Sequence, residues 1–116
     1  MKTKDLKAYQ LSYKAALEIH RTSLNFPKIE QFGLADQIRR SSRSIPANLA
    51  EGLNTYRSNS EELQFLRVAL GSCEETLVWL DFAKDLVYID PELHSEFRDR
   101  YDEIGKLLFG LIKLRQ

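Results

Sequence analysis

Cysteine is almost missing from this sequence. Cys73 stands alone, so no disulfide can close within the chain, and a reducing compartment such as the cytoplasm is the simplest setting. Turn residues are scarce too: 116 residues hold three prolines and five glycines. That shortage argues against many short strands and favours a few long elements. No apolar run is long enough, free of charge, to cross a bilayer. The opening Met1-Lys2-Thr3-Lys4-Asp5 has no apolar segment behind it, so no secretory signal is expected. His20 and His94 are the only histidines, and neither has Cys, Asp or His at metal-ligand spacing. Glu-x-x-His, the pattern of di-metal bundles, does not occur. A Gly-rich phosphate loop and a nucleophile elbow are also missing. Catalytic residues, metal ligands and cofactor-binding residues are therefore not assigned, and a non-enzymatic protein is expected.

Net charge is zero as well, yet its distribution is uneven. Met1 to Arg57 holds ten Lys and Arg against five Asp and Glu, a balance of +5, and Ser58 to Gln116 holds seven against twelve, a balance of −5. Basic and acidic helices lying side by side would neutralise each other. Alternatively, the basic half offers a face to an anionic partner.

Hydrophobic spacing of three and four residues runs through four segments, and no stretch alternates with period two. The first segment spans about Lys4 to Leu24, with Leu6, Tyr9, Tyr13, Ala16, Leu17, His20 and Leu24 on one face; Phe26-Pro27 ends it. On that face His20 is expected to be half-buried. The second spans about Glu30 to Leu53, with Leu34, Ile38, Ile45 and Leu49 inward. Pro46 lies within it, so a kink or restart is expected there. Gly52 closes it, and Asn54 to Asn59 reads as a polar loop. The third starts at Ser58 or Ser60, with Glu61 and Glu62 at the positive end of the helix dipole. Leu63, Leu66, Leu70, Cys73, Leu77, Leu80 and Val87 form its main stripe. Beside it runs a second: Phe65, Ala69, Ser72, Thr76, Trp79, Ala83 and Leu86. An apolar face that wide suggests burial on two sides, and these seven are candidates for a seam between subunits. Asp90-Pro91 opens the fourth segment, whose stripe is Leu93, Phe97, Tyr101, Ile104, Leu108 and Leu111. Leu107, Phe109, Ile112 and Leu114 widen it near its end, and His94 is expected on its exposed side. Short connections between long amphipathic helices imply antiparallel neighbours. The expected fold is all-α: one domain, residues 1–116, built as an up-down-up-down four-helix bundle with its second helix kinked near Pro46.

Isolated chemistry is assigned conservatively. Cys73 lies mid-stripe, where a small buried thiol is the default. Glu74, Glu75, Asp81 and Asp85 read as a solvated face. Asn48 and Glu51, three apart in a small, apolar turn, could pair across helices or bond a partner chain. Gln37-Ile38-Arg39-Arg40-Ser41-Ser42-Arg43 stands out more. Arg39 and Arg43 stack on one side of a helix with Arg40 beside them, and guanidinium groups match phosphate geometry. Lys14, Lys28 and Arg57 could extend the patch toward a nucleic-acid backbone. Salt bridges from these arginines to the acidic third helix are the competing reading.

Longer motifs run through the same segments: Phe26-Pro27, Phe32-Gly33-Leu34, Gln37-Ile38-Arg39-Arg40-Ser41 and Ser44-Ile45-Pro46-Ala47-Asn48-Leu49-Ala50-Glu51-Gly52. Phe65-Leu66, Ala69, Gly71-Ser72, Glu74-Glu75 and the closing Gly105-Lys106-Leu107-Leu108 with Gly110-Leu111-Ile112 follow. Together they resemble the four-helix bundle proteins encoded in intervening sequences of bacterial 23S ribosomal RNA genes. This chain has Ser42 and Leu49 where that family more often carries Ala and Ile. The family is often labelled ribosomal, a label that reflects gene location. The resemblance implies an up-down bundle assembled as a homopentameric ring, a heterologous interface closed by rotation. It also implies kinship with the accessory protein of diversity-generating retroelements, whose basic surface meets reverse transcriptase and RNA. The expected function is a non-enzymatic, oligomeric binding protein that contacts RNA or a nucleic-acid-associated protein. A scaffolding bundle without a nucleic-acid partner is the alternative.

Overall fold

Helix signals and helix limits coincide closely along the chain. The computed structural model describes residues 2–53 and 56–116. Its long helices are α1 (Lys7–Ser23), α2 (Leu34–Gly52), α3 (Asn59–Asp85) and α4 (Pro91–Lys113), with single 3₁₀ turns at Thr3–Asp5 and Lys28–Glu30. Asn54 and Thr55 of the expected polar loop lie outside the described residues. At about 1.5 Å per residue, the 27 residues of α3 account for the 43 Å long dimension of a body 24 by 21 Å across.

Capping chemistry sets the boundaries. Ser58 opens α3 with a capping box: its hydroxyl accepts from the Glu61 amide while the Glu61 carboxylate accepts from the Ser58 amide. That bonding lowers the pKa of the Glu61 carboxyl. Asp90 caps α4 by accepting from the Leu93 amide at 2.7 Å, with Pro91 in the first turn. For α2 the acceptor comes from the preceding 3₁₀ turn: Glu30 Oε1 takes the Leu34 amide at 3.2 Å, and the Tyr88 hydroxyl, remote in sequence, donates to Glu30 Oε2 at 2.9 Å. The first two helices thus start later than periodicity suggested. Each is preceded by a 3₁₀ turn, at Thr3–Asp5 and at Lys28–Glu30. No restart occurs at Pro46, which is buried within a continuous α2.

Named contacts order the helices. Thr3 bonds the Leu53 carbonyl and Arg39 bonds Ser23, so α1 and α2 are antiparallel. Ser72 bonds Ser44, and Thr76 bonds Ser41, giving the same sense to α2 and α3. Asp81 meets His94 while Glu62 meets Arg115, which does so for α3 and α4. Lys7–Glu103 and Glu18–Arg100 close α4 onto α1. The result is an up-down-up-down four-helix bundle around one core, in which Ile19, Ile38, Ile45, Leu49, Leu66, Leu80, Phe97, Ile104 and Leu108 are at most 2% exposed. Burying each such side chain contributes roughly 1.5–3 kcal/mol.

On α1 the inward face is only partly the expected one: Ala16 is buried and Tyr9 packs against the core, but the rest of the buried face is different. Ala8, Ser12, Ala15, Ala16, Ile19 and Ser23 are buried, whereas Tyr13, Leu17 and Leu24 are 50%, 41% and 58% exposed. Small side chains let α1 approach its neighbours closely, and packing at that distance leaves no room inside for Tyr13 or Leu17. His20 follows them outward and is exposed rather than half-buried.

Much of the second stripe of α3 finds its partner within the chain. Ala69, Thr76 and Ala83 are 0% exposed. Ser72 and Thr76 bond α2 serines at 2.8 and 2.9 Å. Phe65 lies against Gly52, where an added Cβ would come within 2.2 Å of the Phe65 Cβ. As seam residues for a second subunit, Ala69, Thr76 and Ala83 are therefore ruled out: no surface is left on them. Trp79 keeps part of its surface and Leu86 is 47% exposed.

Candidate binding surface between α1 and α2

The rejected face of α1 and the outer flank of α2 enclose a cleft of about 490 Å³, lined by Tyr9, Tyr13, Ala16, Leu17, His20, Arg43, Pro46, Ala47 and Ala50. Its construction follows from helix spacing. Tyr9, Tyr13, Leu17 and His20 succeed one another by three or four residues, one above the next. Pro46, Ala47 and Ala50 are small, so the opposite wall is low. The Tyr9 and Tyr13 rings lie 5.9 Å apart and tilt 35° to each other. Arg43 and His20 bring side-chain nitrogens, and Tyr9 and Tyr13 phenolic hydroxyls, to a lining that is otherwise apolar.

The six expected phosphate-binding cations do not form one patch. Arg39 turns inward: its Nε donates to Ser23 Oγ at 2.7 Å and its Nη2 to Gln31 Oε1 at 2.6 Å. Gln31 in turn donates to the carbonyls of Ser23 and Phe26, so Arg39 belongs to the joint between α1 and α2. Arg40 pairs with Asp36 at 2.9 Å but remains 72% exposed. Arg43 is exposed and donates to the Arg39 carbonyl at 3.1 Å. Lys14 is exposed on α1, and Lys28 is exposed in the turn before α2. Arg57 lies at the far end of α2, bonded to the Glu51 carbonyl at 2.8 Å, near Glu61 at 3.5 Å and over the Phe65 ring at 4.5 Å. Among the described residues Arg39, Arg40 and Arg43 make no salt bridge to α3, so that competing reading fails for them.

Other singled-out residues fall into place. Cys73 is buried, and its thiol bonds the Tyr101 carbonyl at 3.3 Å; burial, then the Glu74 and Asp102 charges, push its pKa up to about 12. A thiol held protonated in this way is no nucleophile. Asn48 bonds Ser44 within its own helix rather than across helices, at 2.8 and 2.9 Å. His94, expected to be exposed, is only 8% exposed and lies 2.7 Å from Asp81 Oδ1, because α4 turns it onto α3. Asp81 is accordingly half-buried, also near Arg98, while Glu74, Glu75 and Asp85 form the solvated face. Among the described residues no group of His, Cys, Asp and Glu could hold a metal ion, and no helix is long and apolar enough to cross a membrane.

The cleft residues were visible in sequence, but on the wrong side of the helix. Ala8, Ser12, Ala15, Ile19 and Ser23 also repeat at three-four spacing, and the small size of all but Ile19 was the signal that this stripe forms the close helix contact.

With this geometry in place, comparison with known proteins decides the family. The family model described as 23S rRNA-intervening sequence protein matches residues 4–110. The chain belongs to that family. A solved structure is similar to it over nearly its whole length: a protein of unknown function from the S23 ribosomal protein family of Bacteroides thetaiotaomicron VPI-5482. It is 29% identical with a TM-score of 0.84, over 97% of this chain and 99% of that one. A search of curated proteins finds no match. Membership in the intervening-sequence family accords with the four-helix fold and carries no catalytic assignment.

Proposed function

We propose that this intervening-sequence protein is a non-enzymatic binding subunit that assembles with copies of itself and holds RNA on the basic outer side of α1 and α2. A protein that accompanies nucleic acid, such as a reverse transcriptase, could be bound along with the RNA. The observation that carries the reading is the exposure of Lys14, Lys28, Arg40 and Arg43 on the half of the chain with a balance of +5. Family likeness supports a ring of five. Arg39 and Arg57 are not part of the phosphate face, because each is bound within the chain.

Single-stranded RNA binding measured by fluorescence anisotropy across a salt series tests this. Each phosphate contact contributes roughly 0.7 to the slope of log affinity against log salt. The Lys14→Ala, Lys28→Ala, Arg40→Ala triple variant should therefore lower that slope by about 2 while leaving the fold intact. An unchanged slope and affinity would refute the phosphate face.

One set of observations favours a protein scaffold instead: the zero net charge and the pairing of Arg40 with Asp36. Salt-insensitive binding to a protein, with none to RNA, would establish that reading.

A further inference from the structure

Two apolar stripes keep much of their surface in solvent, and they carry opposite charge. One is the α1–α2 cleft, concave, with Arg43 as its charged group beside His20 and the two tyrosines. The other lies on the outer side of α3. Val68, Glu75, Trp79, Phe82 and Leu86 succeed one another by seven, four, three and four residues, the spacing of a helix-packing seam. Val68, Phe82 and Leu86 are 52%, 51% and 47% exposed. The Trp79 and Phe82 rings lie 5.8 Å apart, and the Trp79 indole N–H is held by Glu75 at 2.9 Å. This stripe is therefore a convex aromatic ridge with Glu75 among its apolar side chains and the 76%-exposed Asp85 side chain near its end.

We infer that the ridge of one copy seats in the cleft of the next. Trp79, Phe82 and Leu86 would fill the space between the tyrosines of α1 and the low wall of Ala47 and Ala50. Glu75 would face Arg43. Opposite charge at the seam accords with the basic first half and acidic second half of the chain, and it disfavours the alternatives: cleft against cleft would oppose two Arg43 side chains, and ridge against ridge two Glu75 carboxylates. α3 packs on one flank of α2 through Ser41 and Ser44, while the cleft lies on the other flank. Donor and acceptor surfaces are thus different faces of the same chain. Such an interface is heterologous, and it propagates head to tail until rotation closes it. Arg43 belongs to this seam, which leaves Lys14, Lys28 and Arg40 for phosphate. The inference rests on the reading of the chain as a homo-oligomer and adds which surfaces meet.

Complementation of two broken surfaces tests it. Tyr13→Glu disables the cleft and Phe82→Glu disables the ridge; both residues are about half exposed, so each variant should fold. Light scattering should show a multi-chain wild type and a single-chain mass for either variant. An equimolar mixture should form a two-chain species, because one intact ridge still meets one intact cleft. Circular dichroism checks folding, and Leu17→Glu and Leu86→Glu replace either variant that unfolds. A multi-chain wild type with no rescue in the mixture, or with either variant keeping the wild-type mass, would overturn this seam and leave self-assembly standing. A single-chain wild type would overturn both.

Discussion

Replacing Gly52 with alanine adds one methyl group, and the structure sets its consequence. The new Cβ would lie 2.2 Å from Phe65 Cβ and 2.5 Å from its Cγ, far inside van der Waals contact. Phe65 cannot simply swing away, since its ring lies under the Arg57 guanidinium at 4.5 Å and Cβ moves only with the α3 backbone. Overpacking of this kind typically costs about 1–3 kcal/mol. In a helix without such a neighbour the same replacement should stabilise by roughly 0.5–1 kcal/mol, because alanine has less backbone freedom to lose. Gly71 supplies that control: it lies within α3, and nothing falls within 4 Å of its added Cβ. Denaturant unfolding at one fixed protein concentration should therefore move the two midpoints in opposite directions, down for Gly52→Ala and up for Gly71→Ala. Removing the ring should relieve the clash, so Gly52→Ala combined with Phe65→Ala should cost less than the two single changes together. If Gly52→Ala is neutral or stabilising, α2 and α3 do not approach as described, and the assignment of Phe65 to an intramolecular contact fails with it.

Two further outcomes follow from groups that the fold leaves dissatisfied. The Tyr101 hydroxyl is fully buried and has no hydrogen-bond partner among the described residues. Such a group costs about 1–3 kcal/mol, so Tyr101→Phe should leave stability unchanged or raise it by about 1 kcal/mol in denaturant unfolding; a comparable loss would mean that the hydroxyl is bonded. Val87 takes the left-handed position of the α3 terminus at φ 64°, with the Tyr88 amide bonded to the Ala83 carbonyl and the Val87 amide to that of Lys84. Glycine is usual there, and a β-branched residue is strained by about 1–2 kcal/mol. Val87 is 84% exposed, so Val87→Gly should raise the thermal midpoint, and a lowered one would show that the side chain makes contacts that outweigh the strain.

The helices were legible because their signals are local. Ser58 with Glu61, Asp90 with Pro91, and Phe26 with Pro27 act within one turn of where they stand, and periodicity identified α2, α3 and α4 by the stripes they bury. Choosing between two stripes on the same helix is a different problem. On α1 the larger residues were the natural core by hydrophobicity. Yet the distance between packed helices selects the small ones, and that distance exists only once the neighbours are in place. The same applies to α3. Its second stripe is apolar whether it meets α2 or another subunit, and only the Ser72–Ser44, Thr76–Ser41 and Phe65–Gly52 contacts, separated by 28, 35 and 13 positions, decide for α2.

Charge shows the division most clearly. Counting residues revealed a basic first half, because net charge along a chain needs no coordinates. It could not tell Arg39, turned inward to Ser23 and Gln31, from Arg40, one residue on and mostly in solvent. Sequence alone determined that four helices form and where they stop, since capping and periodicity act over one or two turns. Which faces they bury, and hence which cations and aromatics remain for a partner, depended on the tertiary structure, because burial is a property of helix pairs.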